Sequence, residues 1–163
     1  QKTTPSGGYD WQGKTYTTHI EYDLRNDEMF KILIDSITEH VREFAEAHGS
    51  QACYKCQGAW ANIATADNFQ EYHTHDGSVF SAVYYPKVPE GSGHIVFEDP
   101  RMPDMLPIGN ITERNNLSFQ KVGYAAEEGM LIIFRSSLRH AVYAGTNKEP
   151  RISFAFNFGP SGV

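Results

Sequence analysis

The chain has 163 residues, of which 40% are hydrophobic and 13% aromatic, with a formal net charge of -6. That length and apolar content suffice for one domain, over 1–163, with a packed core and no disulfide staples. The acidic balance speaks against a nucleic-acid-binding surface, and no apolar run approaches the length of a membrane span.

Residues 1–26 are polar, with Pro5, Gly7 and Gly8 and short β-prone pieces around Thr15 to Ile20. Next comes one strong helix, about 27–47. Phe30, Leu33, Ile34, Ile37, Val41, Phe44 and Ala45 recur at helical spacing and form an apolar stripe. Asn26 or Asp27 is a natural N-cap and Gly49 supplies the stop. After Gly49 the hydrophobic period changes from about 3.6 to about 2. Candidate strands are 52–64, 79–86, 94–98, 118–124, 129–135, 140–144 and 151–158, separated by turn signals such as Pro89-Glu90-Gly91-Ser92-Gly93 and Gly145-Thr146-Asn147. The stretch 99–117 carries Pro100, Pro103 and Pro107 and is long enough to act as a lid over a pocket. Cys53 and Cys56 form a C-x-x-C without a second pair at zinc spacing, so they read as structural or incidental thiols. With few cysteines and no signal-peptide pattern, a cytoplasmic location is the default expectation.

One helix followed by about seven short strands predicts a mainly β fold. The expected form is a double-stranded β-helix, jelly-roll or cupin-like, with the N-terminal helix backing one sheet and a barrel over about 52–158. The last strand fits this. Ile152, Phe154, Phe156 and Phe158 share one face, able to cover the helix. Arg151, Ser153, Ala155 and Asn157 share the other, able to line the barrel mouth. Leu131-Ile132-Ile133-Phe134 is apolar on both faces and predicts a central, buried strand.

The chemistry-bearing residues follow the same parity. His73 and His75 are two apart, so on an extended strand both imidazoles face one side and converge on one ion. His140, on a distant strand, can complete a facial triad with open positions. Arg151 and Ser153 place a guanidinium beside a hydroxyl, a pairing suited to a carboxylate. Each has a plainer alternative: a surface histidine, or an Arg151 ion pair with nearby Glu149. Arg135 and Arg139 flank the distal histidine and read either as contacts to an acidic substrate or as solvated turn residues.

Taken in order, Trp60-Ala61-Asn62-Ile63, His73-Thr74-His75, Ser81-Ala82-Val83-Tyr84-Tyr85, Phe97-Glu98-Asp99-Pro100-Arg101, Gly129 to His140, and Arg151 to Asn157 resemble the iron(II)/2-oxoglutarate-dependent oxygenases. More narrowly they resemble a small branch common in phage and marine bacterial sequences, distantly related to prolyl hydroxylases. The resemblance implies His73, His75 and His140 as ligands of Fe(II). It implies Arg151, helped by Ser153 and Tyr85, as the clamp for the far carboxylate of 2-oxoglutarate, with Asn62 also touching this co-substrate. It implies O2 and a small-molecule or peptide substrate as the reacting partners.

One departure matters. The wider superfamily has a carboxylate at the second ligand position, where this chain has His75. Either the site uses three histidines, the favoured reading, or the strand ends at His75 and a turn at Asp76-Gly77 swings the Asp76 carboxylate inward. Two other classes remain beside the oxygenase: a cupin-like metal enzyme without 2-oxoglutarate, and a non-catalytic jelly-roll binding module.

Overall fold

The periodicity switch at Gly49 is where the chain changes architecture. Gly49 takes φ +77, a left-handed conformation that suits glycine, and the helix stops there. The computed structural model describes residues 15–100, 109–113, 115 and 118–161. Among these, the elements run β1 (Tyr16–Thr17), α1 (Lys31–Ala47), β2 (Tyr54–Ala64), β3 (Gln70–His73), β4 (Phe80–Lys87), β5 (Ile95–Glu98), β6 (Lys121–Tyr124), β7 (Leu131–Arg135), β8 (His140–Val142) and β9 (Arg151–Pro160). Most of the 99–117 stretch, expected as a lid, lies outside the described residues.

The helix begins later than its sequence pattern suggested. Asp27 does cap, but it caps a 3-10 turn, Glu28–Phe30, by accepting from the Met29 amide at 2.9 Å. Another such turn, Leu24–Asn26, precedes it and is capped by Asp23. The α-helix proper then presents the expected stripe. Ile37, Val41 and Ala45 are buried, and Phe30, Leu33, Ile34 and Phe44 pack against them.

The strands form two antiparallel sheets, one ordered β1-β2-β9-β4-β7 and the other β3-β8-β5-β6. The fold is the jelly-roll expected from sequence. Alternation along β9 sorts its side chains as expected. Phe154, Phe156 and Phe158 join the helix core, together with Phe80 and Ala82 of β4. Arg151, Ser153 and Ala155 face a cavity between the sheets. In β2 a register irregularity between Cys56 and Gly58 shifts the parity. Tyr54, Cys56 and Ala59 therefore all meet the helix core, while Trp60 and Asn62 line the cavity.

Two expectations need correction. β7 is an edge strand of its sheet among the described residues, not a central one. It is apolar on both faces because Leu131 and Ile133 pack against the helix core, while Ile132 and Phe134 pack between the sheets. Burial of both faces by other layers mimics a central strand in sequence. Conversely, the short strand β3 carries no run of β-prone residues and is absent from the candidate strands, although the spacing of its His73 from His75 implies extended chain there.

The helix-facing stripe gives a direct test. Ile37 is 2% exposed and Ile32, on the same helix, is 83% exposed. Ile37→Ala is expected to cost about 2–5 kcal/mol in urea unfolding. Ile32→Ala should change stability by no more than about 0.5 kcal/mol.

Candidate metal centre and anion pocket

Strands β3 and β8 pair antiparallel, with His73 directly opposite His140. This pairing brings the two rings to a centroid separation of 4.3 Å. His75 lies two residues beyond His73, past the end of β3, with its ring 5.1 Å from each of the others. One nitrogen of each histidine lies within 4.8 Å of the others, a spacing that can hold a metal ion. Strand parity therefore aims His73 and His140. His75 is held differently: its amide donates to the Ser136 carbonyl at 3.0 Å, and an Asp76-Gly77 turn with Gly77 at φ +82 returns the chain to β4.

The turn does not bring in Asp76. Its side chain points to solvent and accepts from the Thr74 hydroxyl at 3.1 Å. The geometry thus assembles three imidazoles and leaves that carboxylate outside.

Hydrogen bonds fix the tautomer of two rings. Nδ1 of His73 lies 2.7 Å from the Glu71 carbonyl, and Nδ1 of His140 lies 2.9 Å from the Leu138 carbonyl. A carbonyl only accepts, so each Nδ1 carries the proton and each Nε2 keeps a lone pair for a metal. Burial keeps the rings neutral. It pulls His75 down to about 3 and His140 to about 4, with the neighbouring imidazoles adding to it, and it lowers His73 as well. Neutral imidazoles are the form that ligates.

Below the triad, the cavity is small, about 50 Å³, room for a few water-sized groups. Asn62, Gln70, Tyr85, Arg151 and Ser153 supply its polar lining, and no acidic side chain lines it among the described residues. Asn62 and Ser153 face each other across the β2–β9 ladder. Arg151 is only 4% exposed. One terminal nitrogen of its guanidinium donates to the Gly93 carbonyl at 2.9 Å, and its Nε is buried without a partner among the described residues. A Cβ at Gly93 would meet the Tyr143 carbonyl at 1.8 Å, so only glycine lets the backbone approach and present this carbonyl. Burial lowers the pKa of Arg151 and raises that of Tyr85 to about 12, while each group favours the other's charged form.

Arg139 pairs with Glu98 at 2.5 Å and lies over the Tyr72 ring, on the outside of the smaller sheet. Neither it nor Arg135 lines the small cavity. Cys53 and Cys56 are free thiols; Cys56 is pushed up to about 11 by burial, which makes it a poor nucleophile. Gln70 and His19 were missed. Gln70 is three residues from His73, the wrong parity for a shared face, but an irregularity in the β3–β8 register turns both inward. His19 packs edge-on against Trp60 at 4.5 Å, and Trp60 lies 5.8 Å from His75. No spacing signal links residue 19 to residue 75.

A second cavity, about 480 Å³ and apolar, opens between β6 and β7. Phe134 lines both cavities, and the larger one contains none of the converging polar groups. The three histidines and the convergent polar groups line the smaller.

Comparison with known proteins agrees with this geometry. Residues 58–157 match a sequence family described as "Putative 2OG-Fe(II) oxygenase". No curated protein sequence matches the chain. A Burkholderia pseudomallei oxidoreductase of the 2OG-Fe(II) oxygenase family is similar in structure, with TM-score 0.55 and 19% identity, over 72% of this chain. This chain spans only 50% of that protein's length. A Pseudomonas putida prolyl-4-hydroxylase matches with TM-score 0.61 and 13% identity, covering 98% of this chain and 78% of that one. A Trichoplax adhaerens prolyl hydroxylase, in complex with a hypoxia inducible factor peptide fragment, matches with TM-score 0.58 and 12% identity, covering 90% and 63%. At these identities the structures speak for the fold.

The depressed histidines imply a pH dependence. Between about 6.5 and the folded values near 4 and 3, the unfolded chain takes up protons that the metal-free folded chain refuses. Their contribution is therefore fully present above about pH 6.5 and is lost as pH falls toward 4. Metal-free protein should lose stability over that window in thermal unfolding. His140→Gln should lose less over the same window; parallel curves would contradict the assignment.

Proposed function

The chain belongs to the 2OG-Fe(II) oxygenase family, an enzyme family using Fe(II) and 2-oxoglutarate, and from that premise we propose that it is a dioxygenase that hydroxylates an organic substrate. In this reading His73, His75 and His140 hold the iron, and Arg151 with Ser153 and Tyr85 holds the far carboxylate of 2-oxoglutarate. Asn62 lies beside this clamp and positions the chain of the co-substrate.

The observation that carries the reading is the Arg151 guanidinium: buried, always charged, and, among the described residues, bonded only to a neutral carbonyl with its Nε left over. Burying an uncompensated charge is costly, so such a group is expected to have an anionic partner in the working state. A dicarboxylate supplies it. Three donor nitrogens that are neutral near pH 7 fit a divalent ion, since no proton competes for their lone pairs. A cupin-like metal enzyme without the co-substrate assigns the guanidinium no anion, and a plain binding module assigns the three imidazoles no metal.

The chain's own residues perform three tasks. The backbone carbonyls of Glu71 and Leu138 orient two imidazoles and fix their tautomers. Arg151 recognises a planar carboxylate by paired, charge-assisted hydrogen bonds, and Ser153 adds a hydroxyl from the same strand face. Trp60, Phe134 and Val142 wall the cavity and keep water from the reacting centre. When bound, iron(II) supplies oxygen activation coupled to oxidative decarboxylation of the keto acid. The Trichoplax neighbour is recorded with a peptide, so peptides stand beside small molecules as substrates to screen.

Arg151→Ala should weaken 2-oxoglutarate binding by about 10–100-fold, from the roughly 1.5–3 kcal/mol of a charge-assisted contact. Metal affinity should be nearly unchanged. Arg151→Lys should restore only part of the loss, because an ammonium lacks the planar fork. Calorimetric titration of metal-loaded wild type and both variants measures this. Normal 2-oxoglutarate binding by Arg151→Ala would move the clamp elsewhere.

A further inference from the structure

His73 and His140 each have a backbone carbonyl to fix the ring; among the described residues His75 has none. Its Nδ1 faces instead the side-chain amide of Asn157, with Nδ2 at a long 3.5 Å. Behind that amide runs a chain of buried polar groups. The Ser81 hydroxyl donates to Asn157 Oδ1 at 2.8 Å and lies 2.8 Å from the Ser136 hydroxyl. Ser81 and Ser136 are 1% and 0% exposed, next to a core of phenylalanines and aliphatic side chains. Hydroxyls in such a place are costly unless fully bonded, and a polar chain there invites a reason beyond packing.

We propose that Asn157, anchored by Ser81 and Ser136, is the positioning residue for His75 and sets which ring nitrogen carries the proton. This rests on the ligand assignment above and deepens it. With Nδ2 turned toward Nδ1, the amide donates and the ring proton sits on Nε2, the nitrogen a metal needs. Turned by half a revolution, Oδ1 accepts from Nδ1–H and frees the Nε2 lone pair. The relay accommodates both states, because a hydroxyl both donates and accepts. In the second state Nδ2 donates to Ser81 Oγ, and Ser81 donates on to Ser136. The side-chain amide at this position thus does for an off-strand histidine what a backbone carbonyl does for the other two. The Ser136 carbonyl, which accepts from the His75 amide, ties the same turn to the ring's backbone.

Zinc(II), redox-inert and diamagnetic, is the probe. Wild type should bind one equivalent, and long-range proton–nitrogen NMR should place the His75 proton on Nδ1 in the loaded protein. Asn157→Leu should bind zinc about 10–100-fold more weakly, the usual cost of losing an outer partner of a metal-bound histidine. Asn157→Asp, which keeps an acceptor, should recover most of that affinity. Ser81→Ala, which removes the anchor without touching the ring, should weaken zinc in the same direction by less, and serves if the leucine variant does not fold. Zinc affinity equal to wild type in both Asn157→Leu and Ser81→Ala, or a loaded His75 with its proton on Nε2, overturns the proposal. A wild type that binds no zinc at these histidines overturns the ligand assignment itself, and this inference with it.

Discussion

A guanidinium buried without an anion is the constraint around which the rest of this molecule is arranged. Arg151 cannot shed its charge, and the cavity around it offers a carbonyl and a phenol but no carboxylate among the described residues. The cost of that arrangement is borne by the fold. β9 lies between β2 and β4 in the larger sheet, paired on both sides for most of its length. Its phenylalanines bury against α1, which leaves Arg151 and Ser153 no face but the interior. Burying each large apolar side chain contributes about 1.5–3 kcal/mol, so the helix core can hold an unfavourable charge in place.

The metal centre shows the complementary solution. Three imidazoles kept neutral by burial add no charge of their own, so the pocket's positive potential comes from Arg151 and from whatever cation the histidines take. A carboxylate at the second ligand position would have lowered that potential. With His75 there and Asp76 turned to solvent, a metal ion held by the three histidines would keep more of its positive charge than in a mixed ligand set.

Much of this was legible in the sequence, because side-chain parity on strands is a rigid rule. The two faces of β9 and the helix stripe from Phe30 to Ala45 follow from spacing. Spacing joined His73 to His75, whereas it is the β3–β8 register that sets His140 opposite His73. What escaped has a physical cause in each case. β3 is four residues long and its register irregularity puts Gln70 and His73 on one face despite odd spacing. β7 reads as central because two different cores cover its two faces, although it ends its sheet. His75 was placed on a strand, yet it lies beyond one and is aimed by tertiary bonds to Ser136 and Asn157, partners about 60 to 80 residues away. His19, which packs on Trp60 and acts on His75 through charge, has no sequence signature at all.

The most direct measurement is anaerobic titration of the iron(II)-loaded protein with 2-oxoglutarate, followed by the weak visible charge-transfer band of the chelate. A saturable band at one equivalent, absent when His140 is replaced by Gln, is the predicted result. Iron bound at the histidines with no band and no 2-oxoglutarate uptake would contradict the account, because the buried Arg151 would then have no dicarboxylate to meet.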